Sequence, residues 1–158
     1  MDKKLQKKLL KKYPDLLKSI PGETVTPIIS CRDGWYSIID NLLAIIKEYT
    51  EQNPEYYGRV NFTQIKEKFG VLRAYYNISP WNSEDIISKI AQQGTADFVN
   101  HMIRYAVFLS GRTCERCGSV EKVGTTEKGW LQTLCKPCAM RLKKTNPGSV
   151  QKFRLLKD

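Results

Sequence analysis

The stretch Cys114-Glu115-Arg116-Cys117 and Cys135-Lys136-Pro137-Cys138, with seventeen residues between the inner cysteines, decides how the rest of the chain is read. Each Cys-x-x-Cys pair closes a tight turn that points two thiolates at one ion, and four sulfurs at about 2.3 Å complete a tetrahedron. Gly118 suits such a turn, because positive φ costs it nothing. The spacing is that of a two-knuckle zinc ribbon. Cys114, Cys117, Cys135 and Cys138 are therefore the expected ligands and zinc the expected cofactor, a redox dithiol pair or an iron–sulfur centre being the alternatives. Between the knuckles, residues 128–134 read as a strand leading into the third cysteine.

Four thiolates leave the metal no open position, so it can neither activate water nor polarise a substrate. Pro137-Cys138 runs into Ala-Met-Arg and so does not complete the Pro-Cys-x-x-Cys of zinc nucleobase deaminases. Hydrolase, P-loop and dinucleotide signatures are absent from the sequence. The single histidine, His101, sits mid-helix and reads as a surface or packing residue, and no feature pairs Glu67 with Asp97. The expectation is a protein that is not an enzyme.

Upstream of the knuckles the pattern is mixed. Leu5, Leu9, Tyr13, Leu16, Leu17 and Ile20 recur at helical spacing with lysines at 3, 4, 7, 8, 11 and 12 filling the other side, which predicts an amphipathic helix up to Pro21-Gly22, with Pro14 a place to split it. Its lysine face reads most simply as solvated. Trp35, Ile38, Ile39, Leu42, Leu43, Ile46 and Tyr49 mark a core helix near 35–52 that stops before Pro54. Asn82 or Ser83, followed by Glu84 and Asp85, starts a second helix to about 110, carrying Ile87, Ile90, Ala91, Gly94, Phe98, Met102, Tyr105, Ala106 and Leu109. Such a helix, near 40 Å long, reaches far enough to meet a second protomer, and Gly94-Thr95 offers a place for a break.

Between these helices the period drops to two, predicting strands at about 60–66 and 71–77 with a turn at 67–70. That turn sets Gln64 against Arg73 and Lys66 against Val71. Phe62, Gln64, Lys66, Val71, Arg73 and Tyr75 then share one face, while Thr63, Ile65, Leu72, Ala74 and Tyr76 share the apolar face that packs on the helices. The expected fold class is α+β: two main helices packed on a β-hairpin, with a C-terminal zinc ribbon and a basic N-terminal helix. The expected divisions are that helix at 1–20, a body at 21–111, the ribbon at 112–140 and a basic tail at 141–158.

Of the 158 residues, 41% are apolar and 27% charged, a globular composition. The formal net charge is +10. Residues 1–20 hold seven Lys and two Asp, residues 112–158 hold eleven basic and four acidic groups, and the segment between holds eight basic and ten acidic. The basicity thus belongs to the two ends and calls for an anionic partner. No apolar run approaches the roughly 18 residues of a membrane helix, and the start lacks a signal-peptide core, so the expected location is cytoplasmic with no membrane partner. Paired Cys-x-x-Cys motifs in a reducing compartment favour metal over disulfides, and Cys31 is left over as an inert thiol.

The run Phe62-Thr-Gln-Ile-Lys-Glu-Lys-Phe-Gly-Val-Leu-Arg-Ala-Tyr-Tyr76 follows Asp33-Gly34-Trp35 and precedes Arg112-Thr-Cys-Glu-Arg-Cys-Gly118 and Gly129-Trp-Leu-Gln-Thr-Leu-Cys135. Together these resemble a group of small, uncharacterised zinc-ribbon proteins of phages and prophages, over about residues 30–140. That group often ends in Cys-x-x-His, so Cys138 is a variant fourth ligand, and the lysine-rich start lies outside the shared pattern. The resemblance supplies no activity, but it implies a short protein that binds a host component or captures a nucleotide signal of bacterial immunity. The leading expectation is therefore a binder of a phosphate-bearing nucleotide at Phe62, Lys66, Arg73 and Tyr75, the aromatics stacking on a base and the cations gripping phosphate, in a homo-oligomer. The alternatives are a zinc ribbon whose Lys136, Arg141, Lys143, Lys144, Lys152 and Arg154 track a DNA or RNA backbone, and an inhibitor of a host enzyme.

Overall fold

A computed structural model of the chain describes residues 1–17, 29–52, 58–79, 86–127, 130–150 and 152–156. The Pro21-Gly22 stop, the Pro54 stop, the Asn82–Asp85 helix start and Lys128-Gly129 lie outside the described residues. The fold is α+β, with five α-helices, two three-stranded sheets and two apolar clusters among the described residues.

Helices α1 (Lys3–Lys12) and α2 (Pro14–Leu17) are one amphipathic segment broken at Tyr13, whose extended φ of −129° is what a following proline imposes. Leu9, Tyr13, Leu16 and Leu17 enter the same core as Trp35 and Ile39, so this segment is part of the body. All six lysines of α1 are exposed. Lys12 pairs with Asp40 at 2.8 Å, and the Tyr13 hydroxyl donates to the same carboxylate.

A short strand β1 (Ile29–Ser30) and a 3₁₀ turn (Asp33–Trp35) lead into α3 (Tyr36–Gln52). Strands β2 (Arg59–Lys68) and β3 (Val71–Ser79) form the hairpin, with β1 parallel to β2 on its far edge. Phe69 and Gly70 alone make the turn, at φ of +56° and +78°. Positive φ at both central positions is the two-residue hairpin geometry whose twist matches the strands.

The shorter turn corrects the expected register. Lys66 faces Arg73 and Gln64 faces Tyr75, a shift of two residues, so the side-chain faces between 64 and 76 are unchanged. Ile65 and Leu72 are fully buried while Lys66 and Arg73 stay half-buried on the opposite face. A β-bulge at Thr63 reverses the alternation upstream of it. Phe62 is thereby carried to the inner face, fully buried beside Tyr76, and does not join the face of Lys66, Arg73 and Tyr75.

Helix α4 (Ile86–Ser110) runs unbroken through Gly94-Thr95, and the buried Thr95 hydroxyl donates to the Ala91 carbonyl. It is fixed by the Tyr76 hydroxyl on its Ala96 carbonyl, by Phe98 stacked at 4.0 Å on Tyr49 of α3, and by the Ser110 hydroxyl accepting from the Leu72 N–H. Of the expected apolar stripe Ala106 is buried, joined by Val99 from outside it, whereas Ile87, Ile90 and Tyr105 are exposed.

Downstream, β4 (Val123–Glu127) is flanked by β5 (Thr133–Cys135) and β6 (Lys152–Leu155), both antiparallel to it, and α5 (Lys136–Thr145) lies between β5 and β6 in sequence. The chain beyond Cys138 is thus not a free tail. It completes the second core through Ala139, Leu142 and Val150, and its strand zips onto β4.

The two cores are locked together at Gly34. A Cβ there would fall 2.2 Å from the Cys114 carbonyl oxygen and 2.6 Å from the Gly118 nitrogen, both backbone atoms of the first knuckle. Gly34→Ala is therefore expected to cost about 2–3 kcal/mol, read as a lower midpoint in urea unfolding at unchanged slope. Phe69→Asn should do the reverse and stabilise by about 0.5–1 kcal/mol in the same measurement, because asparagine tolerates the left-handed backbone that phenylalanine is strained to hold.

Candidate metal centre

The first knuckle is made by the turn after α4. The Gly118 N–H donates to the Cys114 carbonyl at 2.9 Å, and Gly118 takes the φ of +78° that lets the chain double back. The second is made where β5 stops and α5 starts: Cys135 is the extended residue before the helix and Cys138 lies in its first turn. β4 bridges the knuckles, with Val123 opposite Cys135 and the Lys122 carbonyl accepting from the Lys136 N–H.

This scaffold brings the four sulfurs within 4.8 Å of one another. Cys117 lies 3.6 Å from both Cys135 and Cys138. A disulfide would need about 2.05 Å, whereas a tetrahedron of bonds near 2.3 Å has edges of about 3.8 Å. The spacing fits a tetrahedral, thiophilic metal ion, and all four cysteines are free thiols. Burial pushes the Cys114 and Cys138 thiols up, so without a cation these positions resist ionisation. Cys31 is separate: it is buried, and burial pushes its thiol up to about 12, which fits an unreactive core residue.

The knuckle is braced on several sides. The Gly34 N–H donates to the Glu115 carbonyl, the Trp35 indole N–H to the Thr113 carbonyl, and the Glu115 N–H to the Thr133 carbonyl, each at 2.9 Å. The Thr133 hydroxyl in turn donates to the Gly70 carbonyl at the hairpin tip. Trp35, fully buried, is accordingly a packing and anchoring residue. The Glu115 side chain accepts from Arg32 Nε at 2.8 Å, and burial pushes its carboxyl up to about 7 against the pull of that guanidinium.

Of the four expected ligand-binding residues, the structure brings three together. Lys66 and Arg73 are directly opposite, and Lys66 Nζ sits 5.3 Å from the ring centre of the exposed Tyr75. Phe62 is in the core.

A second cationic group lies on the ribbon. Lys122, Lys136, Arg141 and Lys144 line an open hollow of about 370 Å³ together with Pro137 and the exposed Met140. None of the four is paired with an acid among the described residues. Lys152 and Arg154 differ, since both are held by Glu127, at 2.9 and 2.6 Å. Lys122 carries no signal of its own in the sequence; only the β4 pairing places it beside α5. His101 Nδ1 meets the Asp97 carbonyl on the exposed face of α4, a local contact. No helix among the described residues is long and apolar enough to cross a membrane.

Compared with family models, with curated proteins and with solved structures, the chain matches none.

The four-sulfur site predicts that Ser at any one of Cys114, Cys117, Cys135 or Cys138 abolishes stoichiometric metal binding. Because a small ribbon draws about 10 kcal/mol or more of folding free energy from its metal, chelation should unfold residues 112–156 while α1–α4 persist, which amide exchange would resolve segment by segment.

Proposed function

We propose that this chain is a non-enzymatic, zinc-containing binding protein for phosphate-bearing ligands, and that its ribbon grips a nucleic-acid backbone. Zinc is the ion that four thiolates in a two-knuckle ribbon favour, and its closed shell confines it to a structural role. The observation that carries the nucleic-acid reading is the hollow ringed by Lys122, Lys136, Arg141 and Lys144, none of them paired with a carboxylate among the described residues. Lys152 and Arg154, by contrast, are both held by Glu127. An open, unpaired ring of four suits a chain of phosphates, and the exposed Met140 gives a base an apolar surface.

A second reading rests on Lys66, Arg73 and Tyr75, which form a small cationic face beside an aromatic ring. It would suit a single nucleotide, and in a phage setting the sequestration of a host immune signal. It lacks Phe62, the second aromatic it was expected to have.

Zinc analysis should return one ion per chain. Anisotropy of a labelled single-stranded 12-mer separates the two surfaces. With four phosphates neutralised, raising salt from 50 to 200 mM should weaken binding roughly fiftyfold. Charge reversal by Arg141→Glu with Lys144→Glu should cost at least about tenfold at low salt, while Arg73→Ala leaves oligonucleotide binding unchanged. The opposite pattern, loss only with Arg73→Ala and little salt dependence, would move the function to the hairpin face.

A further inference from the structure

Outside both cationic surfaces, one side of α4 is exposed from its first turn to its last. Ile86, Ile87 and Ile90 near its N-terminal end fall in line there with Tyr105 and Phe108 near its C-terminal end, because about 100° per residue brings all five onto one face. Each is between 51% and 75% exposed, and none belongs to either apolar cluster. The line between them is polar and equally exposed, held by Gln93, Asp97, His101 and Arg104. The other side of the helix meets the body through Val99, Ala106 and the Phe98 ring stacked on Tyr49. Large apolar side chains lined up in water mark a surface that another molecule covers.

The order of residues along the line selects that molecule. A bilayer or a continuous apolar groove would strip water from Asp97, His101 and Arg104 without giving them partners. A second copy of α4 running antiparallel matches every position. It sets Ile90 on Phe108, Asp97 beside His101, and Arg104 over Gly94, where a Cβ would meet nothing within 4 Å, so the long arginine has room to reach Asp97 one turn further on. One Asp97 oxygen accepts from Gln93 Nε2 of its own helix at 3.0 Å, and neither Asp97 nor Arg104 has an ion-pair partner among the described residues. Two turns apart on one helix, they are too distant to pair within it and meet only between copies. A parallel copy would instead set Asp97 against Asp97 and Arg104 against Arg104, which like-charge repulsion disfavours. The Arg112 guanidinium lies 4.0 Å from the Phe108 ring centre on one side, leaving the other side for Ile90.

We propose that this face of α4 is the seam of a homodimer, two copies packing antiparallel about a twofold axis at the level of Val99, with apolar contacts at both ends and an Asp97–Arg104 pair on each side of the axis. Both copies contribute the same residues, so the interface closes on itself. A helix of 25 residues is roughly 37 Å long, which puts the contact at the small end of specific interfaces and the dissociation constant in the micromolar range. The dimer uses neither the ribbon face nor the hairpin face and does not rest on the nucleic-acid reading.

Sedimentation equilibrium of the full-length, zinc-loaded protein from about 1 to 200 μM tests this. The expected result is a rise from the mass of one chain to that of two, with no larger species. Ile90→Glu, at an exposed position, should weaken association at least about tenfold. Asp97→Arg or Arg104→Asp alone puts like charges in contact across the seam and should weaken it by about three- to thirtyfold. The two exchanges combined in one chain restore attraction in the antiparallel register, so association should return to within about threefold of wild type. Helix content and zinc are checked in each variant, and should Ile90→Glu lose either, the charge exchange decides. The mass of one chain throughout the range, dimers that withstand both Ile90→Glu and Asp97→Arg, or a double exchange that fails to recover would overturn the proposal. A chain that stays monomeric yet floats with phosphatidylglycerol vesicles would give the face to a lipid surface and overturn it equally.

Discussion

The close approach of Gly34 to the first knuckle is the contact on which the rest of the arrangement depends. No side chain fits between its backbone and the Cys114 carbonyl, so the 3₁₀ turn lies directly on the peptide units that shape the metal site. The Gly34 N–H and the Trp35 indole each spend a hydrogen bond on that knuckle, at Glu115 and Thr113. Trp35 is at the same time fully buried in the core built by α1–α4 and the hairpin. A rigid knuckle thus supplies a wall for the larger core, and the larger core supplies the brace that a small ribbon lacks.

That coupling gives the hairpin a second role. Its tip reaches the ribbon through Gly70, whose carbonyl accepts from Thr133 and whose N–H is held by Glu67. A two-residue turn with both residues at positive φ keeps the tip narrow enough to dock there. The cost falls on Phe69, a bulky residue in left-handed backbone and largely exposed. Strain at this position accompanies a tertiary contact one residue away.

Charge is distributed unevenly over the surface. A divalent ion on four thiolates leaves two net negative charges, and nearby cations such as Lys122 and Lys136 moderate them. Four cations gathered around one hollow exceed what that requires. At the N-terminus the lysines are exposed, but the apolar stripe behind them is committed to the core.

The sequence by itself determined what depends on local spacing. Two Cys-x-x-Cys pairs bring their thiolates together because each turn is built from neighbours, and helical or alternating patterns name the buried face of α1, α3, β2 and β3 because side-chain periodicity is a backbone property. Pro14 announced the break at Tyr13 for the same reason. What needed the tertiary structure was everything decided by one inserted residue or by strands distant in sequence. The bulge at Thr63 leaves the alternation of residue types looking regular while moving Phe62 to the other face. The residues after Cys138 look like a charged tail, yet β6 pairs with β4 from 25 or more positions away, and that pairing also sets Lys152 and Arg154 against Glu127. Lys122 joins α5 only through the pairing of β4 with β5, and Glu115 meets Arg32 across 83 positions only because the chain folds back on Gly34; no local pattern encodes such meetings, since long-range contacts follow from packing of whole faces.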